Sequence, residues 1–367
     1  MTQLITSLLI ICGFAAGLAL LLEIAGHYLA DFGEATIDVN GSKDLRVRGG
    51  NPLLSTLGDA GIFIPSACGG RGTCAYCKVR VVAGGGPVLP TETPYLSPAE
   101  LQNQVRLACQ VKVRNNLSIV IPEELFLVKE FRARVDRIET LTPVIKGLWF
   151  TLLSPAEGLT FKPGQYIQLE VPRYELTKGP EFRAFSIASS PVDPQRLELI
   201  VTRAPEGLVA LYVHDHLKPG DVLTVRGAYG DFYLRESDRD ILLIATGSGL
   251  APIKSILHQI EHKGISRQTN LFFGGRRPDD LYFSDYLKTL EEKLPNFKYR
   301  PVLSRVEAAD EWTGDTGRVT DLIKKYVPEN AALDAYICGA PPVVESCIAA
   351  LKAKGVPETQ IFFDKFA

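Results

Sequence analysis

At roughly 100 to 200 residues per domain, a chain of 367 residues is expected to hold two or three separate cores. Hydrophobic residues at 46% and charged residues at 22% fit an ordered globular chain and exclude collagen-like, low-complexity and disordered classes. A formal net charge of −2 with no long Lys/Arg block lacks the footprint that phosphate-backbone binding requires, so nucleic acid is not an expected partner.

Residues 4–22 carry no charge, and a run of about 20 apolar residues is what a helix needs to cross a bilayer core. A single membrane-spanning anchor over residues 1–30 is therefore expected. A secretory signal peptide fits less well, because Met1-Thr2-Gln3 lacks the basic residues of an n-region. Gly13 and Gly17, four apart in the span, would let a second helix approach closely.

After a link near residues 31–34, Thr36–Gly41 and Leu45–Arg48 read as two strands around an Asn-Gly turn. A short helix is predicted over residues 52–60, a strand over 78–82 and a helix opened by the capping box Ser97-Pro-Ala-Glu100. Strands over 109–113 and 117–121 then close a mixed α+β domain spanning 34–125. From about residue 128 to 236, alternating strands such as 166–171 and 197–202, separated by Gly and Pro turns, predict an antiparallel barrel. From 238 to 367, apolar strands alternate with helices, the pattern of an α/β parallel sheet covered on both faces.

Four of the seven cysteines form a ligand set: Cys68, Cys74 and Cys77 in the string CGGRGTCAYC, and Cys109. Thiolates are the preferred ligands of sulfide-bridged iron, and four hold a 2Fe-2S cluster. Structural zinc favours two paired Cys-x2-Cys hooks, whereas here one hook, one outlier and one distant cysteine match the cluster pattern. Gly69, Gly70 and Gly72 would let the backbone wrap it.

Arg183-Ala-Phe185-Ser186 closes a predicted strand, and Gly207-Leu208-Val209-Ala210 opens a helix. A dinucleotide pyrophosphate needs a cation and free helix N-terminal amides, which Arg183 and residues 207–210 would supply to FAD. Phe185 would stack on the flavin ring, with the Ser186 hydroxyl near its reactive nitrogen. Thr246-Gly247-Ser248-Gly249, with Pro252 near the first turn of the next helix, follows an apolar strand as a second pyrophosphate turn, and Cys338-Gly339 ends another strand on the same sheet edge. Cys347 reads as core. His258, Glu261 and His262 match a metal-protease motif but read as a solvated helix face.

With these parts in this order, the chain resembles the F subunits of the sodium-translocating NADH:quinone oxidoreductases over nearly its whole length. The residues that carry the likeness are CGGRGTCAYC, RLACQVKV around Cys109, Arg183–Ser186, TGSGLAP, Glu311-Trp312 with Gly314 and Gly317, the Phe-Phe-Asp-Lys-Phe ending and the N-terminal apolar run. The last two domains are similar to the ferredoxin–NADP reductase superfamily. The resemblance implies a β-grasp ferredoxin domain, an FAD barrel and a nicotinamide domain. It also implies that Ser186 and Cys338 flank the hydride path, that Phe366 covers the flavin ring or nicotinamide pocket, and that Arg276 joins the nicotinamide site. Departures from the pattern are Phe185 for Tyr, Ala210 for Ser/Thr, Ala228 and Ala340 for Pro, a shortened stretch between Val171 and Arg183, and Arg305 where an acidic residue is usual. NADH is the expected coenzyme, with NADPH second because an Arg beside the adenosine ribose suits a 2′-phosphate.

Nicotinamide gives two electrons, a 2Fe-2S cluster accepts one, and a flavin does both, so the module order encodes an electron splitter. The expected function is the NADH-oxidising subunit of an inner-membrane quinone reductase, single-pass, with its domains on the cytoplasmic side and other membrane redox subunits as partners. The alternatives are an anchored reductase feeding an oxygenase or another membrane redox enzyme, and a non-catalytic redox sensor.

Overall fold

The computed structural model of the protein describes residues 2–29 and 32–366. Met1, Ala30 and Asp31, which belong to the expected anchor and link, lie outside the described residues, as does Ala367. A helix forms where the apolar run is, α1 (Thr2–Leu29). Among the described residues, however, no helix is long and apolar enough to cross a membrane, and the expectation of a single-span anchor is corrected on that finding.

Two compact units follow from the packing, Met1–Val128 and Lys129–Ala367. The first contains β1 (Glu34–Val39), β2 (Lys43–Arg48), α2 (Leu53–Asp59), β3 (Lys78–Ala83), α3 (Pro98–Gln102), β4 (Val105–Leu107) and β5 (Leu117–Val120). Asn40 and Gly41 both take positive φ, 58° and 66°, as the tight β1–β2 turn demands. The sheet order β2-β1-β5-β3-β4 is mixed, with β1 and β5 parallel. Ala35, Ile37 and Val39 alternate into the core, where they meet Leu53 and Leu57 of α2. Ser97 caps α3, and Glu100 reaches back to the Ser97 amide at 2.8 Å. The strand expected over 109–113 is not there: β4 stops at Leu107, whose carbonyl accepts the Gln110 and Val111 amides in a turn. That turn sends Cys109 back toward the cysteine loop.

The second unit opens with β6 (Lys129–Thr142), β7 (Ile145–Ser154), β8 (Tyr166–Val171), β9 (Glu181–Ser186), β10 (Arg196–Thr202), α4 (Leu208–Asp215) and β11 (Val222–Tyr229). These strands pair antiparallel in the order β10-β7-β6-β11-β8-β9, and a bridge between Ile187 and Leu199 closes the sheet on itself. Phe131, Phe150, Ile167, Leu169 and Val201 fill the barrel, and α4 plugs it with Val209 and Val213. There follow β12 (Asp240–Thr246), α5 (Leu250–Lys263), β13 (Thr269–Gly275), α6 (Ser284–Lys293), β14 (Phe297–Leu303), β15 (Asp315–Thr316), α7 (Val319–Tyr326), β16 (Leu333–Gly339), α8 (Pro341–Ala353) and β17 (Ile361–Lys365). All six strands run parallel, ordered β15-β14-β13-β12-β16-β17. Ile241–Ala245 of β12 are buried throughout, because α5 and α6 cover one face of the sheet while α7 and α8 cover the other. Cys347 lies fully buried on α8. His258 departs from the solvated face expected of it. It is half-buried against Tyr286, with ring centroids 5.7 Å apart, and burial pulls it down to about 4.

Candidate functional site

In the first unit, the loop after α2 carries Cys68, Cys74 and Cys77, and the turn after β4 carries Cys109. The Cys68 and Cys74 sulfurs lie 3.4 Å apart, and Cys77 shares a thiol hydrogen bond with Cys109. Within each pair the shared hydrogen bond pulls one thiol down, Cys68 to about 3 and Cys109 to about 7, and pushes Cys74 and Cys77 up. Among the described residues, no three His, Cys, Asp or Glu side chains gather as they would around one metal ion. Two thiol pairs are instead the donor set that two sulfide-bridged irons require, so these residues fit a 2Fe-2S cluster better than zinc. Gly72 has φ 78°, and a Cβ there would meet Gln110 Nε2 at 2.6 Å. That amide in turn donates to Cys109 Sγ at 3.5 Å. A buried pair the sequence reading passed over anchors the fourth thiol: Arg106 grips Glu92 through two hydrogen bonds, and Leu107 donates its amide to the same carboxylate at 3.0 Å.

In the second unit, Glu181–Phe185 of β9 are half-buried along their length, leaving a face that a flat ring could cover. Arg183 Nη1 donates to the Phe182 carbonyl at 2.6 Å and to Glu181 at 3.2 Å. Gly207 starts α4 with no side-chain cap, while Val209 and Ala210 point inward, so residues 207–210 offer backbone amides. Tyr174 of the shortened segment donates to the Leu208 carbonyl at 2.5 Å. An uncapped helix start and an arginine on the adjoining strand fit a dinucleotide pyrophosphate.

On the parallel sheet, Thr246, Gly247, Ser248 and Gly249 link β12 to α5 at the carboxyl edge, and Pro252 is buried in the first turn of the helix. Gly247 is open, but a Cβ on Gly249 would strike the Cys338 carbonyl at 2.3 Å. This glycine therefore lets the turn lie on the end of β16. Gly339 likewise lies against Thr246 Oγ1, and its carbonyl accepts the Phe366 amide at 3.0 Å. Phe366 itself is half-buried against the core. Arg276 and Arg305 stand exposed beyond β13 and β14, joined by a 2.8 Å backbone hydrogen bond.

Ser186, at the end of β9, and Cys338 meet through a residue to which sequence reasoning assigned no role. Asp364 pairs with Cys338 across β16 and β17 and hydrogen-bonds the Ser186 side chain. Burial lifts Asp364 to about 6, against that hydrogen bond. Cys338 is fully buried, and burial together with Asp364 raises its thiol far above the ordinary range, so it is neutral. The available signal was an acid directly after three apolar residues in the terminal strand.

Fold and site together define an iron–sulfur flavoprotein reductase. Three family descriptions match in chain order: "2Fe-2S iron-sulfur cluster binding domain" over residues 37–114, "Oxidoreductase FAD-binding domain" over 132–233 and "Oxidoreductase NAD-binding domain" over 243–348. The F subunit of the Na(+)-translocating NADH-quinone reductase of Neisseria meningitidis serogroup C is 33% identical, over 95% of this chain and 96% of its own. Its counterpart in Klebsiella pneumoniae is 31% identical, over 94% and 95%. Among solved structures, the Amycolatopsis cytochrome P450 reductase GcoB is similar with a TM-score of 0.73 and 27% identity, covering 90% of this chain and 98% of its own. A ferredoxin reductase of carbazole 1,9a-dioxygenase shares the fold with a TM-score of 0.69 and 24% identity, covering 91% and 98%. The chain belongs to the family of F subunits of the Na(+)-translocating NADH-quinone reductases. It is an NADH oxidoreductase with 2Fe-2S, FAD and NADH as its cofactors.

Proposed function

We propose that the chain is the electron-input subunit of a quinone reductase at the inner membrane, its domains facing the cytoplasm and its partners the other subunits of that complex. Bound FAD would supply the link between the two-electron chemistry of NADH and the one-electron chemistry of a 2Fe-2S cluster. Cys68, Cys74, Cys77 and Cys109 hold the cluster. Arg183 and the amides of 207–210 offset the charge of the FAD pyrophosphate, and Phe185 stacks beneath the flavin ring. Thr246, Gly247, Ser248, Gly249 and Gly339 cradle the nicotinamide dinucleotide, with Arg276 at its adenosine end. Cys338 lines the meeting place of the two rings as a neutral wall, and Phe366 covers it against water. Ser186, tethered by Asp364, offers its hydroxyl at the edge of the flavin ring, and Asp364 holds a proton below about pH 6. The observation that carries these roles is the contact of Ser186 with Asp364 beside Cys338, which joins barrel and sheet edge at one point.

Anaerobic NADH should bleach the flavin absorbance of the purified chain and bring up the cluster's electron spin resonance. Cys77→Ala should abolish the cluster signal and spare the bleaching. A flavin that NADH does not bleach would overturn the reading. A second reading, a reductase serving an oxygenase, draws support from the 27% identity to a cytochrome P450 reductase and the short segment after Val171. Copurification with an oxygenase, in place of membrane redox subunits, would favour it.

A further inference from the structure

One buried pair in the second unit has no part in the roles above. Lys254 of α5 donates to Glu198 Oε2 of β10 at 2.5 Å, and the two side chains are 11% and 7% exposed. The ammonium also lies 5.1 Å from the Phe283 ring centroid and 5.6 Å from that of Tyr286, so it is enclosed by one carboxylate and two aromatic faces. Glu198 Oε1 is buried without a hydrogen-bond partner. A half-satisfied buried ion pair adds little to stability, and its best-attested use is to fix one register between packed elements.

The elements so joined are the ones whose register matters. Glu198 sits on a barrel strand whose end, Thr202, donates to Ser248 in the glycine turn at 2.8 Å. Ser255, next to Lys254, donates to the buried Ser189 carbonyl at 2.8 Å, three residues beyond Ser186. The flavin strand's exit is thus tied to α5, and the strand that carries Glu198 is tied to the glycine turn that opens the same helix. Hydroxyl contacts tolerate sliding, whereas a buried ammonium between a carboxylate and two rings has one low-energy position.

We propose that Lys254 and Glu198 are positioning residues that set the stacking register of nicotinamide on flavin. The proposal rests on the function given above, and NADH bleaching of the parent flavin is the control that separates the two. If the parent is not bleached, that function fails. If the parent is bleached and the variants match it, only the positioning fails.

The test uses the full holoprotein carrying Glu198→Gln with Lys254→Met, a neutral pair of similar volume. Flavin content and melting temperature should stay near those of the parent. The flavin-reduction rate at saturating NADH should fall about tenfold or more, since small misplacements in near-attack geometry cost that much. The NADH Kd should change far less, and the long-wavelength charge-transfer absorbance of NAD+ with reduced flavin should weaken. Parental rate and absorbance in the neutral pair would overturn the proposal. Should that variant lose its flavin, Lys254→Arg decides. It keeps the charge but changes the reach, so a slower rate at full flavin content supports positioning and an unchanged rate overturns it.

Discussion

Glu92 in the first unit and Glu198 in the second are both buried glutamates, yet their surroundings drive them in opposite directions. Burial pushes each carboxyl up. Glu92 receives Arg106 Nε and Nη2 and the Leu89 and Leu107 amides, and these donors hold it below the ordinary range despite burial. Among the described residues Glu198 accepts a hydrogen bond from Lys254 alone, and burial wins over Lys254 and the charge of Arg137, leaving it above that range. A buried charge is therefore a stabilising feature where its lone pairs are satisfied and a costly one where they are not. The satisfied pair lies within one local stretch and braces the turn that carries Cys109. The unsatisfied pair joins a barrel strand to a helix of the parallel sheet, where position matters more than strength.

The largest test of this contrast is Arg106→Leu, which strands the Glu92 carboxylate. It should cost about 3 to 5 kcal/mol in the first unit and destroy the cluster absorbance. Retention of both in a thermal melt followed at cluster wavelengths would remove the contrast. Next comes Asp364→Asn, which should slow flavin reduction by NADH about tenfold or more and abolish any change of rate through pH 6. Asp364 is lifted from 3.8 to about 6, so between those values the folded chain binds the proton and the unfolded chain does not. Stability at this site therefore falls as pH rises through that window, and the Asn variant should show a flatter urea midpoint from pH 4 to pH 6.

A smaller difference should separate Glu92→Gln from Glu198→Gln in urea unfolding at pH 7. The first loses charge-assisted bonds to Arg106, whereas the second neutralises a carboxyl whose charge burial already opposes, so the first should be the more destabilised. Equal midpoints would show that the donor count does not govern the two sites. Smallest is Arg305→Asp. The side chain is exposed beyond β14, and kcat/KM for NADH should change by no more than about twofold, with NADPH the poorer coenzyme before and after. A parental preference for NADPH that the substitution erases would show that Arg305 reaches the adenosine ribose.

Much of the first unit was legible in the chain because its signals are short in range. The Asn40-Gly41 turn, the Ser97–Glu100 capping box and the spacing of Cys68, Cys74 and Cys77 each act within a few residues, and each constrains the backbone by sterics or one hydrogen bond. The glycine turn 246–249 and the alternation of strands and helices were legible for the same reason. The strand expected over 109–113 was not, because the turn on the Leu107 carbonyl outweighed an apolar pattern. The apolar run at residues 4–22 specified a helix, and among the described residues no helix is long and apolar enough to cross a membrane.

What the sequence determined by itself was the order of modules and the glycine turn, since these follow from residue type at close spacing. Only the tertiary structure decided that Asp364 meets Ser186, that Lys254 is enclosed by Glu198, Phe283 and Tyr286, and that Gly249 is needed by the carbonyl of Cys338. Those contacts join residues far apart in the chain. Whether a buried polar group finds its partner depends on which strands the sheet places side by side, and residue spacing along the chain carries no record of that.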